Sequence, residues 1–284
     1  MAPVSLHTET LSPPGAGAPG GRVVLVHGFT QTARSWGTVA ATLAGAGHEV
    51  VLPDAPGHGG SADIAADLAT GARLLGEAGG GATYVGYSMG ARLCLHLALA
   101  QPELVERLVM LGATAGIEDP AARAARRRAD ETLADSLDPP PGSEGDPVGE
   151  PAARLDAFLD EWLARPLFAT LPPQAAGLDD RRRNTPAGLA SSLRLAGTGT
   201  QESLWDRLHE LAMPTLVMAG ALDAAFAARA ARMVAAIGPN ATLALLPGAG
   251  HAAHLEQPGA FAGELFRFVG EGLGTTGQDS SVTE

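Results

Sequence analysis

Gly86-Tyr87-Ser88-Met89-Gly90 decides the fold. It lies between an apolar run, Ala82-Thr83-Tyr84-Val85, and a helical pattern that begins at Ala91, so the order is strand, very tight turn, helix. A sharp strand-to-helix turn brings backbone against backbone, and side chains at the two flanking glycine positions would clash. Ser88 is then held at the apex. Its hydroxyl stands above the sheet, and the amide of Met89, at the start of the helix, points toward negative charge developing on a bound substrate. A Gly-x-Ser-x-Gly string also occurs by chance, so the rest of the chain has to supply its partners.

Upstream, Arg22-Val23-Val24-Leu25-Val26 and Glu49-Val50-Val51-Leu52 are short, nearly continuous apolar runs, as expected of strands buried on both faces of a parallel sheet. Val4 to Leu11 alternates weakly, as an edge strand does, and Pro13 to Gly21 is a Pro/Gly turn. Helices are predicted over Ala33 to Ala44, with Gly45 as its cap, and over Ile64 to Ala78. Downstream of the elbow come a helix closed by Pro102 and a strand, Arg107 to Leu111. Strands alternating with helices predict a mostly parallel, doubly wound α/β sheet.

The alternation breaks at about Ala115 and returns at Thr215 to Met218 and Thr242 to Leu246, with a last helix over Leu255 to Val269. Between the two pieces lie helical patterns at Ala121 to Leu137, Ala152 to Ala164 and Thr185 to Leu195, interrupted by a Pro/Gly/acidic loop from Asp138 to Pro151. The expected organisation is a core in two parts, residues 1–114 and 204–272, with a helical cap at 115–203 and a small, polar tail at 273–284 that is expected to be disordered.

Three residues that together make an activated nucleophile each follow a predicted strand: Ser88, Asp223 and His251. In a parallel sheet all strands end on one edge, so the three can meet there. Serine oxygen is a weak nucleophile or base near neutral pH until imidazole accepts its proton, and imidazole needs a carboxylate to fix its tautomer. The loop His27-Gly28-Phe29-Thr30, after the first strong strand, offers the amide of Phe29 as a second oxyanion donor beside that of Met89. Asp223 is equally suited to cap the helix that follows it. Arg92 lies one helical turn beyond Ser88, at the start of a helix expected to be buried. It therefore either pairs with a structural carboxylate or awaits an anionic ligand. The runs Arg126-Arg127-Arg128 and Arg181-Arg182-Arg183 fall in the cap, where one member of each can face inward.

Of the chain's 284 residues 45% are hydrophobic, and the formal net charge is −12; this points away from nucleic acid and anionic membranes as partners. All 19 basic residues are arginine. Cys94 is the only cysteine, so no internal disulfide forms, and a reducing compartment fits. No basic-then-apolar segment marks a signal peptide, and no apolar stretch reaches the length of a membrane span. The expectation is a cytoplasmic protein, without cofactor and without the His/Cys/Asp/Glu spacing of a metal site.

From Val23 to Val269 the chain resembles the α/β-hydrolase superfamily. Several motifs resemble more narrowly the MenH family, the 2-succinyl-6-hydroxy-2,4-cyclohexadiene-1-carboxylate (SHCHC) synthases of menaquinone biosynthesis. The resemblance rests on His27-Gly28-Phe29-Thr30, Leu52-Pro53-Asp54, Pro56-Gly57-His58-Gly59-Gly60-Ser61 and Gly86 to Arg92. It extends to Arg126 before Asp130, Trp162 before Pro166-Leu167-Phe168, Arg181 before Asn184 and Leu189, and Ala249-Gly250-His251-Ala252-Ala253-His254. The resemblance implies a lyase that eliminates pyruvate from a ring, with Ser88 as base supported by His251 and Asp223, and an oxyanion held by the amides of Phe29 and Met89. It also implies that Arg92, Arg126 and Arg181 bind carboxylates of a small polycarboxylate substrate and that Tyr87 and Trp162 line the pocket. Family members often carry Lys two residues after the Asp, where this chain has Ala225. The same triad would equally serve a serine hydrolase of small esters or carbon-carbon bonds, and a ligand receptor that retains the fold is a third reading.

Overall fold

The structure, a computed structural model, describes residues 4–14, 20–139 and 150–270. The sheet runs in the order β1-β3-β2-β4-β5-β6-β7. Its strands are β1 (Thr8–Leu11), β2 (Arg22–Val26), β3 (Glu49–Pro53), β4 (Ala82–Tyr87), β5 (Val105–Leu111), β6 (Thr215–Gly220) and β7 (Ala241–Leu246). β1 is an antiparallel edge strand on β3, and the other neighbours are parallel.

The continuous apolar character of the inner strands has a simple cause. Successive side chains point to opposite faces, and both faces are covered. Val24 and Val26 of β2 pack into one cluster with α2 (Leu68–Gly79), α3 (Met89–Ala100) and α8 (Ala224–Ile237). Val23 and Leu25 pack into another with α1 (Gly37–Gly45) and α10 (Pro258–Gly270). Each such side chain contributes on the order of 1.5–3 kcal/mol when removed from water.

Strand order places the site. From β2 the chain moves to β3 on one side and then returns to β4 on the other, so the order in which strands are added reverses between the parallel neighbours β2 and β4. The Val26–Gly86 pairing therefore sets the loop after β2 beside the turn after β4, in the crevice where open α/β sheets bind ligands.

Between β5 and β6 lie only helices: α4 (Pro120–Leu137), α5 (Pro151–Leu163), α6 (Leu178–Arg181) and α7 (Pro186–Ala196) are the α-helical ones among the described residues. They share a small core that includes Leu137, Phe158, Leu159 and Leu193. The segment's two ends are tied together: Leu204 N–H donates to the Ala115 carbonyl at 2.7 Å and the Trp205 indole to the Gly116 carbonyl at 3.1 Å. Most of the predicted Asp138 to Pro151 loop, and the tail from residue 271, lie outside the described residues.

Four local expectations are corrected. The second helix starts at Leu68 rather than Ile64, because Asp67 accepts from the Thr70 amide at 2.7 Å and caps it. The last helix is two pieces, α9 (Ala253–Glu256) and α10, because proline lacks the N–H needed inside a helix and opens a new one instead. Gly45 is the last residue of α1, and the left-handed position beyond it is Gly47, at φ 97°. The first helix also begins with a 3-10 turn, Ala33–Trp36.

The elbow is held by close approach. A Cβ on Gly86 would lie 2.5 Å from the backbone of Ala91, and one on Gly90 would lie 2.2 Å from the Val26 carbonyl oxygen. Neither neighbour is a side chain that can move aside. Gly90→Ala should therefore lower unfolding stability by about 1–3 kcal/mol in urea denaturation. A change below about 0.5 kcal/mol, the range of an ordinary surface substitution, would show that the elbow is not closed in this way.

Candidate active site

Ser88 is one of two non-glycine residues with positive φ among the described residues, at 51°. Its amide donates to the Leu111 carbonyl at 2.8 Å, fixing the turn against β5. Its hydroxyl lies 3.2 Å from His251 Nε2, and His251 Nδ1 lies 3.0 Å from Asp223 Oδ2. Asp223 follows β6 and His251 follows β7, two and three strands from β4, the strand that leads to Ser88. His251 reaches back because its loop packs on Gly220, where a Cβ would meet the Gly250 oxygen at 2.1 Å. Glu256 orders that loop by accepting from the amides of Gly250 and Ala252 at 2.7 and 2.9 Å.

Asp223 performs both roles open to it. Oδ1 accepts from the Phe226 amide at 3.2 Å and caps α8, while Oδ2 faces His251. Burial pushes its carboxyl up, but the bonds from His251 and Phe226 outweigh this and hold it below the usual carboxylate range. An ionised carboxylate only accepts, so Nδ1 carries the imidazole proton and Nε2 is left to take the serine proton.

Among the described residues, no acceptor bonds the amides of Phe29 and Met89. Met89 begins α3, which aims the positive end of the helix at the same space. The Phe29 loop is braced by two buried histidines. His27 and His58 each use Nδ1 toward a carbonyl, of Gly28 at 2.9 Å and of Pro56 at 3.0 Å. Nε2 accepts from Ala55 N in one and from Thr30 N in the other. Burial lowers both, His58 to about 3. They remain neutral, so His58 orders its loop.

Above Ser88 is a cavity of about 610 Å³ whose lining includes Phe29, Tyr87, Met89, Trp162 and His251. Five arginines also line it: Arg92, Arg126, Arg181, Arg229 and Arg232. Two are occupied. Arg126 pairs with buried Asp130 at 2.7 Å, and Arg232 pairs with Glu118 and stacks over Trp205 at 3.7 Å. The other three have no carboxylate within ion-pair distance among the described residues. Arg92 is 6% exposed and reaches only neutral acceptors, the Gly197 carbonyl and Gln201 Oε1, both at 3.4 Å. Burial, with Arg126 nearby and Asp130 opposing, pulls its pKa down to about 10; it stays charged. Arg181 is buried and bonds the Ala176 carbonyl at 2.7 Å and the Thr30 hydroxyl. Arg127, Arg128, Arg182 and Arg183 are exposed and do not line the cavity.

Residues 23–264 match the model of the alpha/beta hydrolase family. A 2-succinyl-6-hydroxy-2,4-cyclohexadiene-1-carboxylate synthase of Serratia proteamaculans is 31% identical over 229 residues, covering 76% of this chain and 81% of that one. A protein of Bacillus subtilis, named as a putative synthase of the same kind, is 34% identical over 190 residues, 65% of this chain and 64% of its own length. The solved structure of MenH from S. aureus superposes with a TM-score of 0.81 at 27% identity, over 93% of this chain and 98% of that one. The chain belongs to the SHCHC synthase family of α/β-hydrolases.

Within this SHCHC synthase family member, sequence reasoning missed Arg229. It stands on α8 beyond Asp223, exposed at the cavity rim, with its guanidinium 4.7 Å from the Phe226 ring centre. Phe226 in turn lies 4.4 Å from the His251 ring. The available signal was spacing: Arg229 and Arg232, three apart, share a helix face just after the Asp. Cys94 is buried, and burial raises its thiol, as expected of a packed side chain. Among the described residues no group of His, Cys, Asp and Glu is arranged to hold a metal, and no helix is long and apolar enough to cross a membrane.

His254, a turn beyond His251, is 2% exposed and sandwiched between Trp36 and Tyr87 at 4.7 and 4.3 Å. Neither of its ring nitrogens has a partner among the described residues, and burial lowers it from 6.5 to about 3. Folding thus depresses this histidine, so below the ordinary imidazole pKa the unfolded chain binds a proton that the folded chain refuses, and stability falls as pH drops toward about 3. His254→Leu should make the decline of stability between about pH 6 and 4 shallower by up to ~1.4 kcal/mol per pH unit. An unchanged slope in urea titrations across that range would show that the histidine is not held neutral.

Proposed function

We propose that the chain eliminates pyruvate from 2-succinyl-5-enolpyruvyl-6-hydroxy-3-cyclohexene-1-carboxylate to give SHCHC in menaquinone biosynthesis, acting as a carbon-oxygen lyase. The observation that carries this reading is buried Arg92, a guanidinium with no carboxylate within ion-pair distance among the described residues, set in the cavity one helical turn from Ser88. A buried cation left to neutral acceptors is costly, and an anionic substrate supplies what it lacks. The family's substrate bears three carboxylates, and among the described residues three guanidinium groups of the cavity, those of Arg92, Arg181 and Arg229, have no carboxylate within ion-pair distance. Arg126, held by Asp130, adds a donor at the edge rather than a free charge.

The chemistry follows from the geometry. Ser88, its proton drawn toward His251 Nε2, takes the proton from the ring carbon that bears the succinyl ketone. The electron pair moves to the ketone oxygen, where the amides of Phe29 and Met89 stabilise it. It then returns through the ring alkene and expels the enolpyruvyl oxygen. The proton gained from the ring balances the one delivered to the leaving group, and no water is consumed. Asp223 stabilises the imidazolium while the proton is in transit.

The helices of residues 115–203 act as a cap on a core made of residues 1–114 and 204–272. The pinned ends at Ala115 and Leu204 support this division, and Trp162 and Tyr87 give the pocket its apolar walls. A free, buried cysteine and a soluble anionic substrate suit the cytoplasm.

The test is direct. Given the succinylated enolpyruvyl substrate, the protein should release pyruvate. Arg92→Ala should lower kcat/KM for that substrate about 10- to 100-fold, the worth of a charged hydrogen bond, while cleavage of a neutral p-nitrophenyl ester changes by less than about threefold. No pyruvate alongside rapid ester cleavage would identify a serine hydrolase instead.

A further inference from the structure

The loop that offers the Phe29 amide is a four-residue turn closed by Gln31 N–H donating to the Gly28 carbonyl at 3.1 Å. Its third residue, Thr30, sits at φ 68°. That position of such a turn ordinarily takes glycine, and a β-branched residue there is a true outlier that persists only when its surroundings impose it. Thr30 is fully buried, and much of what restrains it comes from the helical insertion. Asn184 Nδ2 donates to the Thr30 carbonyl at 2.7 Å, and Arg181 donates to the Thr30 hydroxyl. The next residue but one is held from the same side: Thr32 N–H donates to Asp180 Oδ2 at 3.1 Å.

Asn184 is the centre of this arrangement. It is 4% exposed, and its carboxamide is satisfied at both ends. Nδ2 also donates to the Arg181 carbonyl at 2.9 Å, and Oδ1 accepts from the Gly59 amide at 3.0 Å. One side chain therefore ties the loop after β2, the loop after β3 and the α6 segment to one another, although it touches neither Ser88 nor His251. The opposite wall is equally tight: a Cβ on Gly28 would lie 2.6 Å from the Tyr87 ring. Without Asn184 the Thr30 carbonyl loses its donor, and among the described residues only the side-chain bonds of Arg181 and His58 remain to hold Thr30 in the left-handed region and, with it, the turn that carries the Phe29 amide.

We propose that Asn184 is a positioning residue for the oxyanion site, so that the insertion, besides covering the substrate, sets the Phe29 amide. The proposal rests on the reading that Phe29 and Met89 hold the developing oxyanion. A donor displaced by about 1 Å is enough to cost a large part of its effect, and the effect belongs to the transition state, so it falls on kcat rather than KM.

The experiment compares wild type, Asn184→Ala, Thr30→Gly and the double variant. It measures kcat and KM for pyruvate release, together with the affinity for phenylboronic acid, which adds to the Ser88 oxygen and places a boron-bound oxygen against the two amides. Asn184→Ala should lower kcat about 10- to 100-fold with KM within about threefold, and should weaken the boronate in parallel. Glycine adopts positive φ without help, so the same substitution should cost several-fold less in the Thr30→Gly background. A melting temperature lowered with kcat and boronate affinity unchanged, or a loss carried by KM alone, would overturn the proposal. So would a penalty equal in both backgrounds. Wild-type protein that releases no pyruvate and takes no boronate would remove the oxyanion site itself; wild type that does both while Asn184→Ala matches it removes only the role of Asn184.

Discussion

Everything at the site depends on one turn that the backbone resists. Ser88 holds φ at 51°, a conformation that costs an L-residue on the order of 1–3 kcal/mol. It survives because Gly86 lies against Ala91 and Gly90 against Val26, with no space for a side chain at either glycine. The strain is compensated by the packing of β4 and α3 against β2 and β5. What it secures is a hydroxyl clear of the sheet, with the first amide of α3 beside it.

Around that turn the strand order does the assembling. The strand order reverses between β2 and β4, so the Phe29 loop is the elbow's neighbour, and β5, β6 and β7 carry the remaining loops along the same edge. The insertion then adds what the core lacks. It brings aromatic walls and Arg126 and Arg181, and through Asp180, Arg181 and Asn184 it grips the Phe29 loop. Of the two Thr/Ser positions with positive φ among the described residues, one is set by core packing and the other largely by the insertion. The charges follow a similar division. Arg126 and Arg232 are paired with Asp130 and Glu118, whereas Arg92, Arg181 and Arg229 line the cavity with no carboxylate within ion-pair distance among the described residues. A site built to cleave neutral esters has no use for three such cations.

The parallel core was legible in the chain because its signals are local: buried strands as apolar runs, the elbow as glycines around a serine, and Ser88, Asp223 and His251 as residues that follow strands. Helix ends were less legible. Ile64 continues an apolar pattern that Asp67 terminates by capping, and the proline that divides α9 from α10 is a backbone effect that apolar periodicity does not register. In the site, Arg92 announced itself by its distance from Ser88, yet whether it had a carboxylate partner depended on where Asp130 points, which only packing decides. Arg229 was hidden because an exposed arginine on a surface helix is ordinary until a cavity is found beneath it. Asn184 stood out only as part of a pattern. Its work is done through Thr30, a residue 154 positions away, and no local signal connects them.

The central claim is that Ser88, in this charged cavity, acts as a base toward carbon rather than as a nucleophile toward a carbonyl. Single-turnover pyruvate release from substrate deuterated at the ring carbon bearing the succinyl group tests it most directly. The account predicts that deuterium slows the release, because that carbon-hydrogen bond breaks in the step that Ser88 and His251 perform. Release at the same rate from the deuterated and undeuterated substrate, with an adduct on Ser88 detected by mass, would contradict it.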